Sequence, residues 1–335
     1  MAGLFCLAVS NTSAQTESGW SLTTTGQLMK EAHAREIGRF YESGMEGTFP
    51  GRAGIPIYYR IFRQEGEEKG AVMISSGRTE AALKYQEVIF DLYRNGYSVY
   101  IHDHRGQGLS GRMTEDPEMG YIDTFQYYVD DMKRFYEDFV IPGGHDHIYL
   151  LAHSMGGAIG MSYLEQHPGD FRAAAFVSPM LGLKPPICLM AKILKGKKPK
   201  YGPGQTGYSD DSTSFEGNSV TGSEIRYHRA IAAYSQVPAA RLGGAATLWV
   251  HRSCRHIKTI FDRIDRLETP FVLFSADNET VVDPKSHTRF IEKARKMGKE
   301  GRLIAVEDAR HELLMEKDPQ RTQVLTATLS FFEGH

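Results

Sequence analysis

Short apolar runs alternate with amphipathic stretches along most of this chain. Runs at 70–75, 97–101, 147–151, 173–178, 270–276 and 302–306 read as strands, and each ends abruptly in small or polar residues. Helices are predicted between them at 84–95, 124–139 and 286–297. In the first of these, Val88, Ile89, Leu92 and Tyr93 recur at helical spacing and Gly96 marks the end. Buried strands alternating with helices predict an α/β protein with a mostly parallel sheet covered on both faces. Before it, Gly47-Thr48-Phe49 and residues 55–62 predict a hairpin turned at 50–54, and the polar stretch 18–40 predicts a helix on the outside of the domain. After 173–178 the alternation stops. Residues 181–257, with glycine-rich polar stretches and short helical pieces, are expected to cap the site. The expected organisation is an extension over 1–39, a core over 40–180, the cap over 181–257 and a second core segment over 258–335.

In such sheets chemistry gathers at the carboxyl ends of the strands, where Gly77, Asp103 and Ser154 would lie. The stretch Tyr149-Leu150-Leu151-Ala152-His153-Ser154-Met155-Gly156-Gly157 fits a strand, a sharp turn and a helix, with small residues two before and two after the serine. That pattern suits a nucleophile elbow, although Ala152 stands where glycine is usual. A serine in an ordinary turn is the plainer alternative. Acyl transfer also needs N–H donors where an oxyanion develops. The candidates are the N–H groups of Met155 and of Arg78, in the small polar turn after 70–75. The Arg78 guanidinium either faces an anionic part of a substrate or pairs with a surface carboxylate. In the loop 102–111, Asp103 and Arg105 are expected to brace the backbone; the ending of a phosphate-binding P-loop is missing. His311 follows the last strand, a suitable mounting for a base that reaches the serine.

Composition narrows the classes. A formal net charge of -2 over 335 residues gives nucleic acid no electrostatic footing. No apolar run approaches the ~18–20 residues of a membrane-spanning helix, so the protein is expected to be cytoplasmic or peripheral at the inner membrane. Residues 1–15 carry an apolar patch over 4–9 without the preceding positive charges of a secretory leader, which leaves secretion open. Cys6, Cys188 and Cys254 are scattered, allow at most one pair and show no metal-ligand spacing. In the cap, Ile187, Leu189, Met190, Ile193 and Leu194 lie among Lys184, Lys192, Lys195, Lys197, Lys198 and Lys200. That mixture suits either a membrane-facing lid or a solvated surface helix with a basic loop.

Ala152-His153-Ser154-Met155-Gly156-Gly157, the run Asp103-His104-Arg105-Gly106-Gln107-Gly108-Leu109-Ser110-Gly111-Arg112, and Ala309-Arg310-His311-Glu312 together resemble the bacterial lysophospholipases related to monoacylglycerol lipases. The resemblance runs from about residue 40 to the C-terminus and includes Gly77-Arg78 and Val281-Val282-Asp283. It implies an α/β-hydrolase fold with an inserted cap, Ser154 as nucleophile, His311 as base, and an oxyanion hole from Arg78 and Met155. By family spacing the acid, four residues before Asp283, is Glu279; Asp277, nearer the strand end, is the alternative acid. The implied reaction is hydrolysis of the ester of a lysophospholipid through an acyl-enzyme, with no metal or organic cofactor. The partner expected is a lipid with a single acyl chain, with possible membrane contact through the cap. A monoacylglycerol lipase, a broad carboxylesterase and a non-catalytic binding protein of the same fold are the rivals. Dehalogenases and epoxide hydrolases need a carboxylate at the elbow, where this chain has Ser154.

Overall fold

The computed structural model describes residues 19–209 and 214–335; the possible leader at 1–15 and Cys6 lie outside the described residues. An eight-stranded sheet forms the centre, in the order β1-β2-β4-β3-β5-β6-β7-β8. β1 (Met45–Pro50) and β2 (Pro56–Phe62) are the expected hairpin, and β2 runs antiparallel to β4 (Tyr97–His102). From β4 onward β3 (Gly70–Ser75), β5 (Ile148–His153), β6 (Ala173–Val177), β7 (Phe271–Ala276) and β8 (Gly301–Val306) are parallel.

The central strands are buried along their length because helices cover both faces, and alternate residues supply two separate cores. Met73, Leu150 and Phe176 face one way, toward α4 (Gln126–Phe135), α5 (Met155–Gln166) and α9 (Pro284–Lys296). Val72, Leu151 and Val177 face the other, toward α3 (Gln86–Arg94) and α10 (Asp318–Glu333). Neither face meets water, so apolar runs replace a strict two-residue alternation.

The polar N-terminal stretch departs from the single helix expected over 18–40. It forms α1 (Thr25–Leu28) and α2 (Glu31–Ser43), separated because Lys30 is extended. Thr24 and Gln27 close a reciprocal cap at the start of α1, which fixes a helix start inside the stretch. Before that cap the chain is buried rather than peripheral: Trp20 and Leu22 join the core, and Thr23 bonds Asp91 through its N–H and its hydroxyl.

The cap contains α6 (Ile187–Leu194), α7 (Glu224–Gln236) and α8 (Thr247–Asp262). The expected boundary at 257 falls inside α8, and the one at 39 falls inside α2. A disulfide joins Cys188 on α6 to Cys254 on α8. Buried Arg226 on α7 pairs with Glu87 and Asp318, and Arg321 on α10 pairs with Asp91, so the cap, α3 and α10 meet in one ionic cluster.

Candidate active site

β5 delivers Ser154 in a backbone conformation that L-residues rarely take, φ 51 and ψ -117. Ser154 N–H donates to Val177 O at 3.1 Å and its carbonyl accepts from Met180 N–H at 2.8 Å, so the elbow is pinned on both sides. Glycine is required two residues on: a Cβ at Gly156 would lie 2.1 Å from Ser75 O. These contacts aim the serine Oγ away from the sheet, and α5 begins at once with Met155.

Two other loops bring the partners. Glu279 follows β7, and its Oε1 accepts from the N–H groups of Val281 at 2.7 Å and Val282 at 3.2 Å. Its Oε2 stands 2.7 Å from His311 Nδ1, and His311 Nε2 stands 2.8 Å from Ser154 Oγ. All three side chains are buried. Burial pushes the Glu279 carboxyl up, but the hydrogen bond and charge of His311, with the two N–H groups, hold it below the usual carboxylate range. A charged Glu279 accepts a hydrogen bond from Nδ1–H, which leaves Nε2 free to accept the proton of Ser154. The loop bearing His311 is itself tied to the cap. Glu312 N–H donates to Val220 O at 2.7 Å, and Arg310 Nη1 donates to the carbonyls of Asn218 and Thr221.

Asp277, the alternative acid, is occupied elsewhere. Its two oxygens accept from Asp308 N–H and Ala309 N–H, both at 3.0 Å, so it ties the two strand-end loops together and makes no bond to His311. The shorter side chain nearer the strand closes the loop, and the longer one two residues on reaches the imidazole.

Arg78 and Met155 line the same cavity as Ser154. Neither of their main-chain N–H groups donates to another protein group among the described residues, which suits a pair held ready for a developing anion. The Arg78 turn depends on residues that sequence reasoning overlooked. Glu80 accepts from Gly77 N–H at 2.6 Å, and Gln107 Nε2 donates to the carbonyls of Gly77 and Glu80, each at 2.7 Å. Thr79, with φ 63, takes the strain of this turn. A carboxylate three residues after the glycine was a local signal for part of this; the reach of Gln107 from the next loop had none. As for the Arg78 guanidinium, no carboxylate pairs with it among the described residues, so the expected surface ion pair is absent there; Nη1 donates to Gly243 O at 3.1 Å.

The bracing residues act as expected. Asp103 accepts from Ala82 N–H at 2.6 Å and Leu109 N–H at 2.7 Å, and burial pushes its carboxyl up to about 6. Arg105 forms a two-pronged pair with Asp131 at 2.6 and 2.7 Å. His153 packs beside the serine with Nδ1 3.0 Å from Val177 O, and burial holds it below the usual histidine range. His251 and His256 stay in the cap, the latter 2.8 Å from Ser162 Oγ.

Above the serine lies a cavity of about 420 Å³, walled by Met155, Leu183, Met190, Leu194, Trp249 and Val282. It is apolar, half enclosed by the cap, and within the usual range of ligand pockets. A buried serine with an imidazole within hydrogen-bond reach, a carboxylate behind the imidazole and unsatisfied N–H groups beside it can carry acyl transfer.

Comparison with known proteins places this arrangement. The family described as Serine aminopeptidase, S33, matches residues 66–318. Lysophospholipase L2 of Escherichia coli (strain K12) is 36% identical over 308 residues, covering 88% of this chain and 89% of its own. Probable lysophospholipase L2 of Haemophilus influenzae is 32% identical over 305 residues, covering 88% and 94%. Among solved structures, a soluble variant of monoglyceride lipase from Saccharomyces cerevisiae superposes with a TM-score of 0.68 over 87% of this chain and 96% of its own; at 18% identity that likeness concerns the fold.

Proposed function

Because the chain belongs to the serine aminopeptidase S33 family of α/β-hydrolases, we propose that it hydrolyses the carboxylic ester of a lysophospholipid and releases a fatty acid. The observation that carries this reading is the unbroken line from Glu279 through His311 to Ser154, opening on an apolar cavity. In the reaction His311 Nε2 takes the Ser154 proton as Oγ attacks the ester carbonyl. The oxyanion is held by the N–H groups of Arg78 and Met155, and a donor of this kind contributes roughly 10²–10³ in rate. Collapse expels the glycerol oxygen, protonated by His311, and leaves an acyl-serine. Water, deprotonated by the same imidazole, then releases the fatty acid. Glu279 remains ionised throughout and stabilises the imidazolium. No step calls for a metal or an organic cofactor.

The cap supplies the approach. On α6, Leu189 is 60% and Ile193 70% exposed, while Met190 and Leu194 on the same helix line the cavity. With Lys192, Lys195, Lys197, Lys198 and Lys200 around it, this face suits a surface carrying anionic lipid, from which a single-chain lipid would enter under α6. No helix among the described residues is long and apolar enough to cross a membrane, so the contact proposed is peripheral. The Cys188–Cys254 disulfide favours an oxidising compartment over the reducing cytosol.

The apolar cavity and a sequence relative named monoacylglycerol lipase favour one second reading, a monoacylglycerol lipase of the same mechanism. Fatty acid released by the purified protein from lysophosphatidylcholine and from monoacylglycerol of the same chain length separates the two. A higher kcat/KM on the lysophospholipid supports the first reading, and a preference for monoacylglycerol moves the substrate to the second.

A further inference from the structure

The side chain of Arg78 has a setting that the ester chemistry does not require. Its guanidinium is half-buried between two cavities, stands 5.5 Å from the centre of the Trp249 ring, and spends one hydrogen bond on Gly243 O. Space is kept for it, since a Cβ at Gly120 would lie 3.1 Å from Nη1. A guanidinium stays charged and offers several N–H donors in a planar fork. Drawing that charge partly out of water, with no carboxylate paired to it among the described residues, is costly unless something else answers it. Burial accordingly holds Arg78 below the usual arginine range.

What lies on either side of Arg78 indicates what answers it. One side is the apolar cavity over Ser154. The other is a second cavity of about 400 Å³, more polar, whose walls include Thr79, Gln205, Thr206 and Tyr227. Arg78 and Gln205 border both. Lys84, also on the polar side, is already neutralised by Glu80 at 2.7 Å and Glu312 at 2.6 Å. A molecule that is apolar at one end, anionic in the middle and polar at the other matches this series of surroundings. In a single-chain glycerophospholipid the ester carbonyl and the phosphorus are separated by a glycerol unit, roughly 6–7 Å when extended. An arginine spans a similar distance from its main-chain nitrogen to its guanidinium.

We propose that the Arg78 side chain binds the phosphodiester of the substrate, so that the acyl chain lies in the apolar cavity and the head group in the polar one. Arg78 then has two separable tasks: its N–H faces the ester oxygen, and its guanidinium selects substrates that carry a phosphate. This inference rests on the function proposed above and names the group that distinguishes its substrate from monoacylglycerol.

The test compares kcat/KM for palmitoyl-lysophosphatidylcholine and monopalmitoylglycerol, each below its critical micelle concentration, in the wild type, Arg78→Lys and Arg78→Met. Methionine keeps the main-chain N–H and removes the charge. The ratio of lysophospholipid to monoacylglycerol activity should fall roughly 10–100-fold in Arg78→Met, chiefly through KM, and less in Arg78→Lys. Equal losses on both substrates would overturn the assignment. A measurement on the unmodified protein covers the case of a misfolded variant: glycerophosphocholine should compete against a short soluble ester where glycerol at the same concentration does not. If the two inhibit alike, Arg78 is no phosphate reader. If glycerophosphocholine competes but the wild type cleaves only monoacylglycerol, the phosphate site stands and the lysophospholipid reading fails.

Discussion

The loops that carry Ser154, Glu279 and His311 and the cap that faces them are held by different forces. Ser154 and Glu279 leave β5 and β7, strands locked into parallel ladders on both sides, and each loop is pinned by hydrogen bonds of 2.7–3.2 Å from or to main-chain groups. Among the described residues the cap has no such ladder. Isolated bridges join Gly120 to Ala245 and Tyr201 to Ala246, a disulfide joins α6 to α8, and apolar side chains on α6 face outward. With a sequence separation of 66, that disulfide is worth about 4 kcal/mol on the chain-entropy account, a staple for this region. On the function proposed, the core holds the reacting side chains in place and the cap selects which molecules reach them. Substitutions in the two regions should fail in different ways.

The largest effect belongs to the core. Ser154→Ala and His311→Ala should each lower kcat about 10⁴–10⁶-fold on any ester, soluble or lipid, because they remove the proposed nucleophile or its proposed base. A difference of substrate class between these variants would break the comparison. Next, Glu279→Gln should cost about 10³–10⁴-fold through the wrong imidazole tautomer, whereas Asp277→Asn should leave the rate within about 5-fold and lower the melting temperature, since it unties the loops at Asp308 and Ala309. Steady-state kinetics and thermal unfolding of the two variants check this, and a larger rate loss in Asp277→Asn would reverse the assignment of the acid.

In the cap the expected effect is smaller and selective. The double variant Leu189→Glu, Ile193→Glu should weaken binding to vesicles containing anionic lipid about 10-fold and leave hydrolysis of a short soluble ester within about 2-fold. Vesicle sedimentation beside the soluble assay measures both, and equal losses would mean that α6 serves the fold rather than the surface. The last effect concerns stability rather than rate. Glu165, at the far end of α5, is buried with neither carboxyl oxygen bonded, and burial pushes it from 4.5 up to about 9. Its folded value lies above its unfolded one, so the native state keeps a proton that the unfolded chain loses. Its contribution is complete below pH 4.5 and is lost as pH rises toward 9. Glu165→Gln should flatten that decline in denaturant titrations across the same range, and an unchanged slope would contradict it.

The same division explains what could be read from the chain. Strands such as Tyr149-Leu150-Leu151-Ala152 announce themselves because both faces of the sheet are covered, and the elbow does so because Gly156 admits no side chain. Family spacing pointed to Glu279, the carboxylate that bonds His311, while Asp277 competed because strand proximity does not reveal which carboxylate closes the loop. Other features depend on contacts between distant segments. Gln107 reaching Gly77, Cys188 finding Cys254, and Arg226 and Arg321 gathering Glu87, Asp91 and Asp318 leave no local pattern. In the N-terminal stretch the capping pair Thr24 and Gln27 was present but sits among many polar residues, so two helices read as one.

The central claim is that Ser154 is the nucleophile activated by His311. Intact-protein and peptide mass spectrometry after brief exposure to a fluorophosphonate tests it most directly. A single adduct on Ser154, formed at a rate that falls sharply in His311→Ala and in Glu279→Gln, is the predicted result. An unmodified Ser154 in protein that still hydrolyses esters, or labelling that is as fast in His311→Ala as in the wild type, would contradict the account.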